Sequence, residues 1–249
     1  MCFSAPISFT ASAVLLPTGL YSLHLAYQRN PSYLPLACIP IAFAIQQACE
    51  GMVWLGFGAD SPVETNLGAF GFLFFAYWFW LFWSPWSVAQ LELKPTVQRV
   101  CWGIGFLGLV YGGLLYLPLL GQPTWLTVHI IHQSIQYETR LIFDPWLSQQ
   151  VDRTFYAIII LTPFAIASNR FLRFLGAAVC LSAIASHWLL NEVFTSVWCF
   201  FAALLSLFIL YICRTAPPMK LLQKNADFLL PESFEAATHE VSIKQQMDM

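Results

Sequence analysis

A chain of 249 residues that is 58% hydrophobic, 16% aromatic and only 10% charged carries less than half the charge of an ordinary soluble domain, where roughly a quarter of residues are charged. Too few polar side chains exist to cover such a surface in water, so the composition excludes a soluble globular domain and points to an integral membrane protein. The formal net charge is −2 and the eleven Lys and Arg are scattered, so there is no basic stripe and no argument for nucleic acid as a partner.

The chain opens MCFSA. No positive region precedes the first apolar run, which extends from Ile7 to Tyr27 and is long enough to stay in place as an uncleaved helix. No apolar segment precedes Cys2, so it does not read as a lipidated cysteine. A bilayer core asks for about 20 mostly apolar residues per helix. That ruler predicts an all-α, polytopic membrane bundle of about seven helices: Ile7–Tyr27, Tyr33–Phe57, Leu67–Ala89, Val97–Leu120, Arg153–Ser168, Phe171–Leu190 and Ser196–Cys213. The fifth is the shortest. Pro17, Pro40 and Pro163 fall inside spans and predict kinks.

Between the fourth and fifth spans, residues 121–152 are too long for a structureless link. The alternation around IHQSIQYET predicts a strand or hairpin lying over one mouth of the bundle. Residues 1–215 form the membrane domain. The tail, 216–249, is polar and predicts a short cytoplasmic helix followed by disorder.

Orientation follows from the basic residues. Arg29, Lys94, Arg99, Arg170, Arg173, Arg214, Lys220, Lys224 and Lys244 lie on the connections after spans one, three and five or in the tail, against Arg140 and Arg153 on the other side. Nine against two places the N-terminus outside and the C-terminus in the cytoplasm, as expected for a multi-pass protein of the inner (plasma) membrane.

With that orientation the unusual residues collect at the outer end. Gln46, Glu50 and Trp54 share one helix face at i, i+4, i+8, with Gln47 beside them. Glu50 is the only acidic residue placed well inside a predicted span. A charge near the bilayer centre costs on the order of 3 kcal/mol unless paired or neutralised. Glu50 is therefore either a ligand or proton acceptor facing a cavity, or a hydrogen-bonded tie between helices. His129 and His132 could ligate together only on a helix, and the strand-like alternation turns them apart. His187 ends span six beside Ser186, and Trp198 and Cys199 begin span seven.

Cys38, Cys101, Cys180 and Cys213 read as small buried hydrophobes, and Cys49 is turned away from Glu50 by about 100°. Cys2 and Cys199 differ, since both lie at outer ends of distant spans. A Cys2–Cys199 disulfide, metal ligation by Cys2, Glu50, Cys199 and His187, and plain packing all stand open. The aromatic run FLFFAYWFWLFWSPW reads as an interfacial belt.

MCFSA, QQACEGMVW and FTSVWCFFAA together resemble an uncharacterised family of bacterial multi-pass membrane proteins with an MC-x-SA leader, an E-G-x-V-W element and an S-x-W-C element. The resemblance covers the spans and implies that Cys2, Glu50, Trp54, Trp198 and Cys199 are the family's recurring residues. It implies no activity, substrate or cofactor. Rhodopsin-like proteins hold retinal on a lysine of the last helix, which span seven lacks, so retinal is not expected. Membrane-embedded zinc hydrolases of the ceramidase type are a runner-up, on Ser182, Ser186, His187 and Glu50, without their HxxxH spacing.

The expectation is a small-ligand, metal or redox site near the outer face, centred on Glu50, with Gln46, Gln47, Trp54 and Trp198 around it. A metal ion is a candidate cofactor. Beyond the lipid bilayer, the partner is a small molecule or another membrane protein. The alternatives are a structural or assembly subunit of a larger membrane complex and a metal-assisted hydrolase.

Overall fold

The computed structural model describes residues 4–131, 133–144, 149–189 and 193–218. Among these, seven helical rods run in succession: α1 (Ala5–Arg29), α2 (Pro31–Gly58), α3 (Pro62–Leu91), α4 (Pro95–Gly121), α5 (Gln149–Ile166), α6 (Arg170–Leu189) and α7 (Phe194–Thr215). A two-stranded hairpin, β1 (Leu126–Ile131) and β2 (Ser134–Thr139), stands between α4 and α5. Six of the rods, all but α5, are long and apolar enough to cross a membrane. The exception starts on Gln149, Gln150, Asp152 and Arg153, which dilute its hydropathy.

Local signals account for where the rods begin. Ser61 Oγ accepts from Glu64 N–H at 3.5 Å and Pro62 takes the first helical position. This S-x-x-E start extends α3 five residues ahead of the predicted Leu67. The kink expected at Pro40 falls at Cys38, where α2 breaks between Ala37 and Ile39; the proline N has no hydrogen to close that turn. At Pro17 and Pro163 the helix runs on.

Packing obeys the rules of a bundle without water. The face that α1 buries is Ser8, Ala11, Leu15, Gly19, Ser22 and Ala26, a stripe of mostly small residues that lets the α1 and α2 backbones approach closely. Gly19 sits against the backbone of Pro40 and Ile41. Large apolar side chains point outward instead: Leu20, Phe106, Phe174, Leu181 and Trp188 are all more than half exposed. In water so much exposed apolar surface would drive association; it matches the lipid-facing side of a membrane bundle.

Arg29 Nη1 donates to the Arg214 carbonyl, 2.5 Å, which joins the last turn of α1 to that of α7. At the same end, Glu92 between α3 and α4 accepts from Ser168 N–H (2.8 Å) and Ser168 Oγ–H (2.6 Å) beyond α5. The hairpin occupies the opposite end. Its strands pair antiparallel with Leu126 opposite Thr139 and Ile131 opposite Ser134, and Gln133 takes the left-handed turn conformation at φ 56°. Leu126 and Ile135 are buried in a cluster with Val53, Phe72, Leu73 and Leu119, and Tyr137 stacks on Phe72 at 4.7 Å. The expected hairpin is therefore packed into the mouth of the bundle. His129 lies on β1, with Nε2 3.7 Å from Glu138 Oε2; His132 lies outside the described residues.

Candidate functional site

Three polar side chains within two turns of α2, Gln46, Gln47 and Glu50, are fully buried. Their partners come from other rods. Ser196 Oγ of α7 donates to Glu50 Oε1 at 2.5 Å, and Gln47 Nε2 donates to Oε2 at 3.3 Å. Trp80 Nε1 of α3 donates to Gln46 Oε1 at 2.9 Å, and the Cys199 thiol lies beside the same Gln46 side chain. Glu50 and Gln46 thus turn one face toward α7, as their four-residue spacing predicts. Cys49 turns toward Gly71 of α3. The network ties α2, α3 and α7 together inside the bundle, where every unpaired polar atom is expensive.

Next to this network is a cavity of about 460 Å³ beneath the hairpin. Its walls come from five elements. The π-helical stretch Phe74–Phe79 in α3 brings Ala76 and Tyr77 to it. A π turn takes five residues where an α turn takes four, and so shifts the face presented by the rest of the helix. The hydroxyls of Tyr77 and Thr139 share a 3.0 Å hydrogen bond that ties the hairpin down. Tyr111 of α4, Asp152, Arg153 and Tyr156 of α5, and Trp198 and Cys199 of α7 also line it.

Inside it, Tyr111 Oη donates to Asp152 Oδ1 at 3.2 Å. Asp152 is only 6% exposed, and its Oδ2 has no hydrogen-bond partner among the described residues. The Arg153 guanidinium lies 4.9 Å from the centre of the Phe194 ring. Tyr156 meets Trp198 edge to face at 5.6 Å, and Trp198 Nε1 donates to the Val179 carbonyl at 3.3 Å. Tyr156, Trp198 and Cys199 also border a tighter apolar space of about 60 Å³ deeper in the bundle.

The residues singled out in the sequence therefore divide. Trp198 and Cys199 stand in the cavity wall. Gln46, Gln47 and Glu50 lie one layer behind it, and Trp54 is half-buried with its Nε1 lacking a partner among the described residues. His187 is exposed at the end of α6, its ring 6.3 Å from that of Phe194. No group of three or more His, Cys, Asp or Glu that could hold a metal forms among the described residues, so Glu50, Cys199 and His187 do not make one by themselves. Cys199 is a free thiol, and Cys2, which both the disulfide and the metal set require, lies outside the described residues. Ser182 and Ser186 spend their hydroxyls on carbonyls of their own helix, at 2.7 and 2.8 Å.

Sequence reasoning passed over Asp152, Tyr111, Tyr77 and Tyr156, and used Arg153 only as a charge to be counted. One signal was present. Asp152 and Tyr156 are four residues apart at the start of α5, a spacing that puts an acid and an aromatic ring on one helix face.

The model of a family of unknown function (DUF6629) matches residues 1–223 of the chain. No curated protein and no solved structure matches it.

Proposed function

The chain belongs to this family of unknown function, and we propose that it is a multi-pass membrane protein that binds a small molecule in the cavity beneath the hairpin. The observation that carries this reading is the cavity itself, its size and its lining. A space of about 460 Å³ lies in the range of small-molecule sites, roughly 300–1,000 Å³. Its lining mixes aromatic rings with a buried carboxylate and a guanidinium, the composition such sites share. Glu50 in this reading does not touch the ligand. It holds α2 against α7 and so fixes the wall that Trp198 and Cys199 provide.

The nine-to-two division of Lys and Arg supports an orientation with the N-terminus and the hairpin outside, the C-terminal tail in the cytoplasm, and the plasma membrane as the host. The site then opens toward the outer face, where a solute arrives without crossing the bilayer.

Ala76 is 2% exposed and lines the cavity, so Ala76→Phe fills it. Protein extracted gently from its native membrane is expected to carry a small-molecule adduct in native mass spectrometry that Ala76→Phe lacks while keeping its cooperative thermal transition. The same adduct on both proteins, or on neither, would overturn the reading.

A further inference from the structure

From the chemistry of the same walls we infer that the cavity is built for a small organic cation, an amine or a quaternary ammonium. This inference rests on the cavity reading above and adds the class of ligand.

Two observations carry it. Asp152 lines the cavity at 6% exposure with one carboxylate oxygen held by Tyr111 and the other without a partner among the described residues. A buried acceptor left open in this way costs stability until something satisfies it. Arg153 does not serve that purpose: neighbouring positions on a helix point apart, and its guanidinium lies over Phe194. Second, Tyr77, Tyr111, Tyr137, Tyr156, Phe194 and Trp198 all line the same space. A ring that turns its electron-rich face to the space attracts a cation and does nothing for an anion, although the Phe194 face is already taken by Arg153. Among the described residues the charged side chains in the wall point the same way, with Glu138, Asp144 and Asp152 against Arg153. A carboxylate set among aromatic rings is the arrangement that recognises an ammonium group without stripping it of compensation.

The test uses the full-length protein in detergent, with choline and propylamine as cations, 3,3-dimethylbutanol as the uncharged match in shape to choline, and propionate as an anion. Binding is read from the saturable shift of the thermal midpoint and from tryptophan fluorescence. Choline is expected to bind at least about tenfold more tightly than dimethylbutanol, since aromatic rings attract a desolvated cation and not an uncharged group of the same shape. Asp152→Asn, which keeps the Tyr111 hydrogen bond, removes that preference. Asp60→Asn, exposed in the turn between α2 and α3 and outside the cavity wall, keeps it.

If dimethylbutanol or propionate binds as well as choline, if Asp152→Asn leaves the preference intact, or if none of the four compounds binds, the ammonium inference is wrong. Ala76→Phe separates the two layers. Should it block whichever compound binds, the cavity reading survives the loss of the ammonium inference; should choline bind Ala76→Phe unchanged, both fall.

Discussion

Glu92 and Glu50 show how one residue type is used in two different ways by the same bundle. Glu92 stands in the short link between α3 and α4, outside the spans, yet is 6% exposed. Burial pushes its carboxyl upward. The Ser168 hydroxyl and N–H, with further N–H groups of Lys94 and Leu93, outweigh that effect and leave it below its ordinary value of 4.5. A depressed native value stabilises the fold above the unfolded value, and the contribution is lost as pH falls through the native one. Wild type is therefore expected to lead Glu92→Gln in thermal midpoint at neutral pH, with the gap narrowing as pH falls below about 4.5. A gap that stays constant from pH 7 to pH 3 would remove Glu92 from the pH response. Glu50 is enclosed by Ser196 and Gln47 instead. Its depth in α2 was legible from hydropathy. The choice between tie and ligand was not, because Ser196 lies 146 positions away in the chain.

Among the elements, the α3–α4 pair decides how closely the cavity walls approach. Gly108 of α4 lies against the carbonyl of Leu81, which a Cβ would overlap, whereas nothing lies within 4 Å of a Cβ built on Gly103. The two glycines therefore predict opposite signs. Gly103→Ala is expected to stabilise by up to about 1 kcal/mol through helix propensity. Gly108→Ala must separate the rods and is expected to cost about 1–3 kcal/mol. Thermal or denaturant unfolding in one detergent measures both, and equal effects would remove the close crossing from the account. Sequence alone treats the two as equivalent, since each is a glycine in an apolar run. By contrast a strand or hairpin could be foreseen: the alternation around IHQSIQYET has a strand period, and a link of that length between two helices needs a structure of its own.

For the whole molecule, the distribution of basic residues sets the orientation test. The Gln133 side chain stands at the exposed tip of the hairpin. In whole cells, a membrane-impermeant maleimide is expected to label Gln133→Cys introduced into a Cys2→Ser background but not that background alone, whose described thiols are buried or half-buried. Labelling that requires permeabilised cells would invert the bundle and place the cavity mouth on the cytoplasmic side.

Membrane class, about seven helical rods, extended structure between the fourth and fifth of them and the burial of Glu50 were determined by the sequence by itself. Each is a property of one segment against its solvent: a helix must match the bilayer in length and hydropathy, and a strand must alternate. The cavity, the Asp152 oxygen without a partner among the described residues, the tyrosines around it and the Ser196–Glu50 bond were decided only by the tertiary structure. They depend on which faces of α3, α4, α5 and α7 meet beneath the hairpin. Among lipid-facing helices that choice is made by close packing and interhelical hydrogen bonds, since hydropathy is the same on every apolar face.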